Sequence, residues 1–269
     1  MAREAERVYA SHVEAVEKEL GQDLDRLKEV RFTVDQEMSE PDHGQHPHYR
    51  VFPRLTAKPF WDLADFPDPL RDAFSRFETE FPQILDEFRS SKESQRYEPG
   101  STAYHGRSEN WRQMVILEED LSFSGIAKSK FPHLCNIIQD LLGLNAINKI
   151  YFALMRAGMH LPVHCGGANI LLRMHLGIDI PEGDLGITVG GVTRTWANGK
   201  TLFFDDTFDH EAWNRSDRDR VVLLVRLLHA ELTACERLAF EKVQVTFGKT
   251  DACKAAKAAL AWSTSQKRS

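Results

Sequence analysis

The stretch His164-Cys-Gly-Gly-Ala-Asn169-Ile-Leu-Leu-Arg173-Met-His175-Leu-Gly177 alternates in character along its second half. Successive side chains of an extended chain point to opposite faces. Ile170, Leu172, Met174 and Leu176 therefore share one side, and Asn169, Leu171, Arg173 and His175 share the other. The pattern predicts a strand with its apolar face on a core. Its second face either meets water or lines a polar pocket.

Working outward, strand-like runs recur at 151–155, 186–189, 192–196, 201–204 and 221–228. Gly190-Gly191 and Asn198-Gly199 lie between neighbouring runs and suit tight hairpin turns that need positive φ. Strands this close cannot be joined by parallel crossovers, so an antiparallel sheet system is expected. Upstream, Val8, Val13, Val16, Leu20, Leu24 and Leu27 predict an amphipathic helix within the first 30 residues. Leu70, Phe74, Phe77, Phe81, Leu85 and Phe88 predict one or two helices, interrupted near Pro82, that pack an aromatic stripe on a core. Leu134, Ile137, Ile138, Leu141 and Leu142 after Phe131-Pro132 predict another.

Residues 36–50 and 90–106 are polar and read as loops. His43, His46 and His48 in the first of them are expected to be solvated rather than ligating. The tail from Glu231 is expected to be helical and surface-lying. These elements predict one domain over 1–269, mainly β with flanking helices. Its parts are a mainly helical segment 1–146, a strand core 147–230 and a helical tail 231–269.

The chain has 269 residues, 42% apolar and 28% charged, which supports a sizeable globular core. A net charge of −6 argues against a nucleic-acid partner, which would call for a positive surface. Cys135, Cys165, Cys235 and Cys253 lack paired spacing and suit reduced thiols. No run approaches the roughly 20 apolar residues of a membrane span, and the charged start is followed by no apolar leader core. A cytoplasmic protein without membrane contact is the expectation. Asn214-Arg-Ser216 matches a glycosylation sequon that such a protein would not use.

The candidate chemistry lies between His164 and Arg220. Pro162 and Gly166-Gly167 prevent His160 and His164 from pairing on a helix, which argues against a zinc-protease motif. His164 and His210, each followed by basic residues, suit a metal held between strands beside an anionic cosubstrate. Imidazoles do not choose among iron, copper, zinc and nickel. A facial triad would place a carboxylate two residues after the first histidine, where this chain has Gly166. Either Asp205, Asp206 or Asp209 serves instead, or the metal keeps two protein ligands. As adjacent residues, Asp205 and Asp206 do not suit a shared-proton pair, and orienting the loop before His210 is their expected role. Cys165, Trp196 and Trp213 are expected to be packing residues.

These motifs resemble the aspartyl/asparaginyl β-hydroxylase family of iron(II)/2-oxoglutarate-dependent oxygenases. The resemblance is carried by His164-x-Gly166-x-x-Asn169-x-x-x-Arg173-Met-His175-Leu-Gly177, Trp196-x-x-Gly199-Lys200 and Phe204-Asp-Asp-x-Phe208-x-His210-Glu-x-Trp213. Weaker echoes lie at Trp111 and Lys58-Pro-Phe-Trp61. It implies a double-stranded β-helix, a cupin-like jelly roll. His164 and His210 alone would hold Fe(II), with glycine normal at the third position. Arg220 would pair with the distal carboxylate of 2-oxoglutarate, and His175 would contact the carboxylate beside its keto group. Arg173 would face cosubstrate or substrate, with Asn169 and, more weakly, Trp111 as further substrate contacts. No catalytic side chain beyond the metal centre is implied.

The implied reaction is hydroxylation of an unactivated C–H bond using O2, with release of succinate and CO2. Two departures bear on the substrate. The family's EGF-domain hydroxylase has an arginine where this chain has Leu171, and a serine where it has Ala153. Losing a charged partner typically costs an acidic substrate a few kcal/mol. A small soluble molecule, such as an amino acid or natural-product intermediate, is therefore expected. Alternatives are desaturation, cyclisation or epoxidation in a biosynthetic pathway, hydroxylation of Asp or Asn in a peptide, or a non-redox cupin-like binding protein.

Overall fold

The structure is a computed structural model that describes residues 2–33, 44–102 and 106–266. In chain order its elements are α1 (Ala2–Leu20), α2 (Asp25–Lys28), β1 (Arg31–Phe32), β2 (Arg50–Val51), β3 (Phe60–Trp61), α3 (Asp68–Thr79) and α4 (Phe81–Ser90). Next come β4 (Glu98–Thr102), β5 (Gly106–Leu117), α5 (Gly125–Lys130), α6 (Pro132–Gly143), β6 (Ile147–Met155), β7 (Met159–His164) and β8 (Leu171–Asp179). The rest are β9 (Leu185–Val189), β10 (Val192–Arg194), β11 (Thr201–Phe204), β12 (His210–Asn214), β13 (Arg220–Leu228), α7 (Ala234–Phe247) and α8 (Asp251–Gln266).

A larger sheet runs β3-β11-β8-β13-β6-β5-β4 and a smaller one runs β10-β9-β12-β7. Every strand pairing is antiparallel. From β6 onward the chain passes back and forth between the two sheets, and β13 returns to lie between β6 and β8. That winding is a double-stranded β-helix, the cupin-like jelly roll. At the β9–β10 hairpin Gly190 and Gly191 have φ of 53° and 79°, which side chains with a Cβ rarely adopt.

Period-two alternation decides what each face of the larger sheet meets. Leu172, Met174 and Leu176 of β8, with Leu223 and Val225 of β13, pack outward onto Leu70, Phe74 and Phe77 of α3 and Ile137, Ile138 and Leu141 of α6. Each such buried side chain contributes roughly 1.5–3 kcal/mol. Tyr151, Ala153, Met155, Val222 and Leu224 point inward and meet Leu161, Ile187, Val189 and Ala212 of the smaller sheet. A third cluster joins Tyr9 and Val13 of α1 to Phe240, Val243 and Phe247 of α7, and seats them on Ile170, Leu171 and Leu228.

Several expectations are corrected here. The strand system begins before residue 147: the second half of β5, from Trp111 to Leu117, pairs with β6. Its polar first half, Gly106-Arg-Ser-Glu-Asn, hid the alternation. The 90–106 stretch is not all loop, since β4 lies within it and pairs with β5. The Asn198-Gly199 turn joins strands of different sheets and is not a hairpin. Its asparagine instead accepts a hydrogen bond from Ile180 N at 2.9 Å. The C-terminal tail is not merely surface-lying, because the apolar side of α7 is buried. Its start is a capping box: the Thr233 hydroxyl accepts from Glu236 N, and Glu236 accepts from Thr233 N at 2.8 Å.

Asn169 joins the segment after β2 to the core. Its Oδ1 accepts from Phe52 N at 2.8 Å and its Nδ2 donates to Phe52 O at 3.0 Å. Asn169→Ala leaves both backbone groups buried without these partners. The expected result is a loss of about 2 kcal/mol, read by thermal or urea unfolding.

Candidate metal centre and cosubstrate pocket

Between the sheets lies a cavity of about 320 Å³. Its wall includes His164, Gly166, Arg173, His175, Asp206, His210 and Arg220. His210 of β12 stands opposite His164 of β7 in the ladder, and their ring centroids are 4.1 Å apart. Each ring is aimed by the same local device. The Nδ1 of His164 lies 2.8 Å from Pro162 O, and that of His210 lies 3.0 Å from Phe208 O. A carbonyl only accepts, so Nδ1 carries the proton and Nε2 presents a lone pair, the arrangement a metal requires. Burial holds His210 below the usual imidazole range, against the opposing pull of Asp206 and Phe208 O. The neutral, ligating form is thereby favoured.

Gly166 faces a carboxylate instead of carrying one. A Cβ at this position would overlap the Asp206 carboxylate, whose Oδ2 lies 2.6 Å from Arg173 Nη2. Among the described residues no third His, Cys, Asp or Glu joins the two imidazoles in a set of donor atoms all within 4.8 Å of one another. Neither Asp205 nor Asp206 completes a triad by that measure. Asp205 is fully buried and accepts from Thr207 N at 2.9 Å, the Thr207 hydroxyl at 2.5 Å and Gln45 Nε2 at 2.5 Å. Burial raises its pKa to about 6 despite those bonds. It anchors the turn that leads into His210.

Arg220 is 2% exposed, and its Nε and Nη1 have no hydrogen-bond partner among the described residues. The Trp196 ring lies 4.4 Å from the guanidinium carbon and the Met155 sulfur 3.6 Å from Nη2. Burial pulls its pKa down to about 9. An arginine does not give up its proton in a protein, so the cation stays buried with little to offset its lost hydration. Beside it, the Trp196 indole N–H donates to His175 Nδ1 at 3.1 Å. Indole is only a donor, so the neutral His175 carries its proton on Nε2. That Nε2 is buried without a hydrogen-bond partner among the described residues. Burial, then Arg220, keep His175 neutral, far below its ordinary range. Two unused donors, one of them cationic, thus face a cavity that also holds a pair of imidazoles.

The sequence profile of the aspartyl/asparaginyl beta-hydroxylase family matches residues 76–230, more than half of the chain. The chain belongs to that family. The aspartyl/asparaginyl beta-hydroxylase of Mus musculus is 32% identical over 130 residues, 48% of this chain and 17% of that protein. The ornithine lipid ester-linked acyl 2-hydroxylase of Rhizobium tropici is 42% identical over 96 residues, 35% of this chain and 33% of that protein. The match thus spans a third or less of either relative. Among solved structures, the non-heme alpha ketoglutarate dependent epimerase SnoN superposes with a TM-score of 0.38 at 15% identity. That likeness covers 56% of this chain and 74% of SnoN and is too distant to bear on residues.

Within this β-hydroxylase family member, the sequence-predicted residues sort into two groups. His164, His175, His210, Arg173, Arg220 and Trp111 all line the cavity. Asn169, expected at the substrate, is spent on Phe52 and is not part of that wall. Arg173 is committed to Asp206. Trp196, expected to be a packing residue, also orients His175 and faces Arg220. Trp213 is half-buried and donates to Asp184 at 2.7 Å. Asn214 is buried and donates to Met155 O and Arg218 O, so the sequon asparagine is closed to modification.

Residues 44–49, expected to be solvated, pack against the cavity wall. His46 N donates to Thr207 O at 2.6 Å, Tyr49 N donates to Gly167 O at 3.0 Å, and His48 lines the wall. His46 pairs with Asp209 at 3.2 Å, and His43 lies outside the described residues. A Gly166→Ala substitution must displace the Asp206 carboxylate and leave Arg173 buried without its counter-charge. A loss on the order of 2–3 kcal/mol is expected in thermal unfolding. An unchanged melting temperature would contradict this packing.

Proposed function

We propose that this family member is an Fe(II)/2-oxoglutarate-dependent dioxygenase that hydroxylates an unactivated C–H bond of a small soluble substrate. The observation that carries the reading is Arg220, a fully buried guanidinium aimed into the same cavity as His164 and His210 with two of its nitrogens unpaired. The donor set fits the two groups. Paired Nε2 lone pairs suit a ferrous ion with open positions. Arg220 and the His175 Nε2–H suit the two ends of a keto-diacid, the guanidinium taking the distal carboxylate as a two-pronged contact. When bound, iron with 2-oxoglutarate and O2 supplies the oxidant that inserts one oxygen atom into the C–H bond, and the keto-acid leaves as succinate and CO2.

The remaining work falls to the chain's own side chains. Pro162 O and Phe208 O hold the ligand imidazoles in register. Trp196 fixes the His175 tautomer, so a hydrogen bond is presented to the cosubstrate rather than a lone pair. Met155, Leu161, Ile187, Phe204, Ala212 and Leu224 line the cavity with apolar surface, which keeps water from the reacting centre. A cavity of about 320 Å³ supports a small substrate. Leu171 is buried in the helical cluster beneath α1 and α7 and is not part of the cavity wall, so the expectation that its identity disfavours an acidic substrate does not hold here. The named relatives divide between aspartyl/asparaginyl and lipid acyl hydroxylation, so family membership alone does not select a substrate.

Succinate formation from 2-oxoglutarate in the presence of Fe(II) tests the reading. His210→Ala is expected to abolish it. Arg220→Ala is expected to weaken 2-oxoglutarate binding by about 30-fold or more, the equivalent of losing a charge-assisted contact worth 2 kcal/mol or above. Full turnover by His210→Ala would overturn the ligand assignment. Substrate mass separates the outcomes: hydroxylation adds one oxygen, and desaturation removes two hydrogens.

A further inference from the structure

A row of three cations crosses the larger sheet, and two of them, Arg173 and Arg226, line the cavity. In the strand register Arg226 of β13 stands directly opposite Lys149 of β6 on one side and Arg173 of β8 on the other. Like charges set opposite one another across a ladder are destabilising. Their carboxylate partners are unevenly shared, and Asp205 adds a weaker attraction on Arg173. Asp206 belongs to Arg173 in a buried pair. Glu119 serves both of the others, 2.6 Å from Arg226 Nη1 and 3.9 Å from Lys149 Nζ.

That second arrangement is lopsided. Glu119 lies in the loop after β5 with its side chain 65% exposed, whereas those of Arg226 and Lys149 are only 23% and 17% exposed. Arg226 Nε is buried without a hydrogen-bond partner. Lys257 of α8 also acts electrostatically on Glu119. Arg226 and Lys149 therefore share one largely exposed carboxylate between them.

Arg226 is part of the cavity wall. It follows Leu224 by two positions on the same face of β13, and Leu224 stands opposite His175. It therefore sits about 7 Å along the strand from the level of the proposed cosubstrate contact. Arg220 and Arg226 bracket the inner face of one strand, and Tyr151 and Trp111, in edge contact at 6.5 Å, wall the space beside the outer cation.

We propose that Arg226, with Lys149, is the specificity-determining subsite of this cavity, and that the substrate is an acid whose carboxylate or phosphate displaces Glu119 to sit on them. This deepens the reading of the cavity as a hydroxylase site and rests on it for the word substrate. The anion-binding property itself does not need iron or turnover. A guanidinium fork beside a lysine suits either anion.

The first test uses the full chain in the Arg220→Ala background, so that the deep arginine cannot answer for the outer one. Melting temperature is followed against acetate and against inorganic phosphate. A saturable rise is expected with at least one of them, and the stronger of the two identifies the anion class. Adding Arg226→Gln should weaken the apparent affinity tenfold or more, and Arg226→Lys should restore part of it. If Arg226→Gln lowers the melting temperature but leaves the anion-dependent rise intact, or if no rise survives Arg220→Ala, the row is a structural ion-pair network and the proposal is wrong.

The second test fractionates a metabolite extract on an anion-exchange resin at neutral pH and incubates each fraction with the iron-loaded protein and 2-oxoglutarate. The compound that gains oxygen is expected in the retained, anionic fraction. A product confined to the unretained fraction would overturn the subsite while leaving the hydroxylase reading in place. No succinate from any fraction would sink the hydroxylase reading instead, and the melting experiment would still decide the anion site.

Discussion

The register that sets His210 against His164 across the β7–β12 ladder is the constraint on which the rest of the structure depends. Side chains on a strand alternate with a period of two, so a slip by one residue would turn one imidazole out of the cavity. The fold guards that register from several directions. β12 is paired on both edges, with β7 and with β9. The turn before it is held by the buried carboxylate of Asp205, which accepts from Thr207 N and from Gln45. Helices on the far side of the larger sheet supply the bulk of the burial, while the space between the sheets is left to chemistry.

Buried arginines show how differently the same charge is accommodated across the chain. Arg173 has a carboxylate, Asp206. Arg237 donates to the carbonyls of Leu144 and Leu232 at 3.0 and 2.6 Å. Arg50 sits among the faces of Tyr9, Phe32, Tyr49, Phe52 and Phe240, the nearest ring centre at 4.8 Å, and also donates to Gln244. Arg50, like Arg220, leaves Nε and Nη1 without a hydrogen-bond partner among the described residues, but five aromatic faces and Gln244 surround it. Arg220 has one indole face and a thioether. What sets Arg220 apart is its place in the cavity wall beside His164, His175 and His210. On the proposed reading, the distal carboxylate of the cosubstrate would complete it.

Much of this was legible in the sequence because local pattern carried it. The alternation along β8 placed Arg173 and His175 on one face, and the Gly190-Gly191 pair marked a hairpin. What escaped was set by long-range pairing or masked by composition. Pro162 concealed β7, although an edge strand tolerates proline because its outer N–H has no ladder partner. β12 is short and carries His210, Glu211 and Asn214, so no apolar run announced it. Trp196, Asp206 and His48 reach the site from loops whose trajectories no periodicity encodes. Asn169, counted with Arg173 by its place in the motif, proved to be a backbone clasp, because strand β8 begins only at Leu171 and the alternation does not extend back to it. Arg226 was the most findable omission. Positions 220, 222, 224 and 226 share one face of a strand, so placing Arg220 in the cavity already placed Arg226 along the same wall.

The central claim is that two imidazoles hold iron beside a keto-diacid anchored by Arg220. The most direct measurement is the visible absorption of the protein titrated anaerobically with Fe(II) and 2-oxoglutarate. Chelation of the iron by the keto-acid within the site should produce a charge-transfer band that needs both additions and saturates at one equivalent of each. A spectrum that stays featureless while both are shown to be in excess would contradict the account.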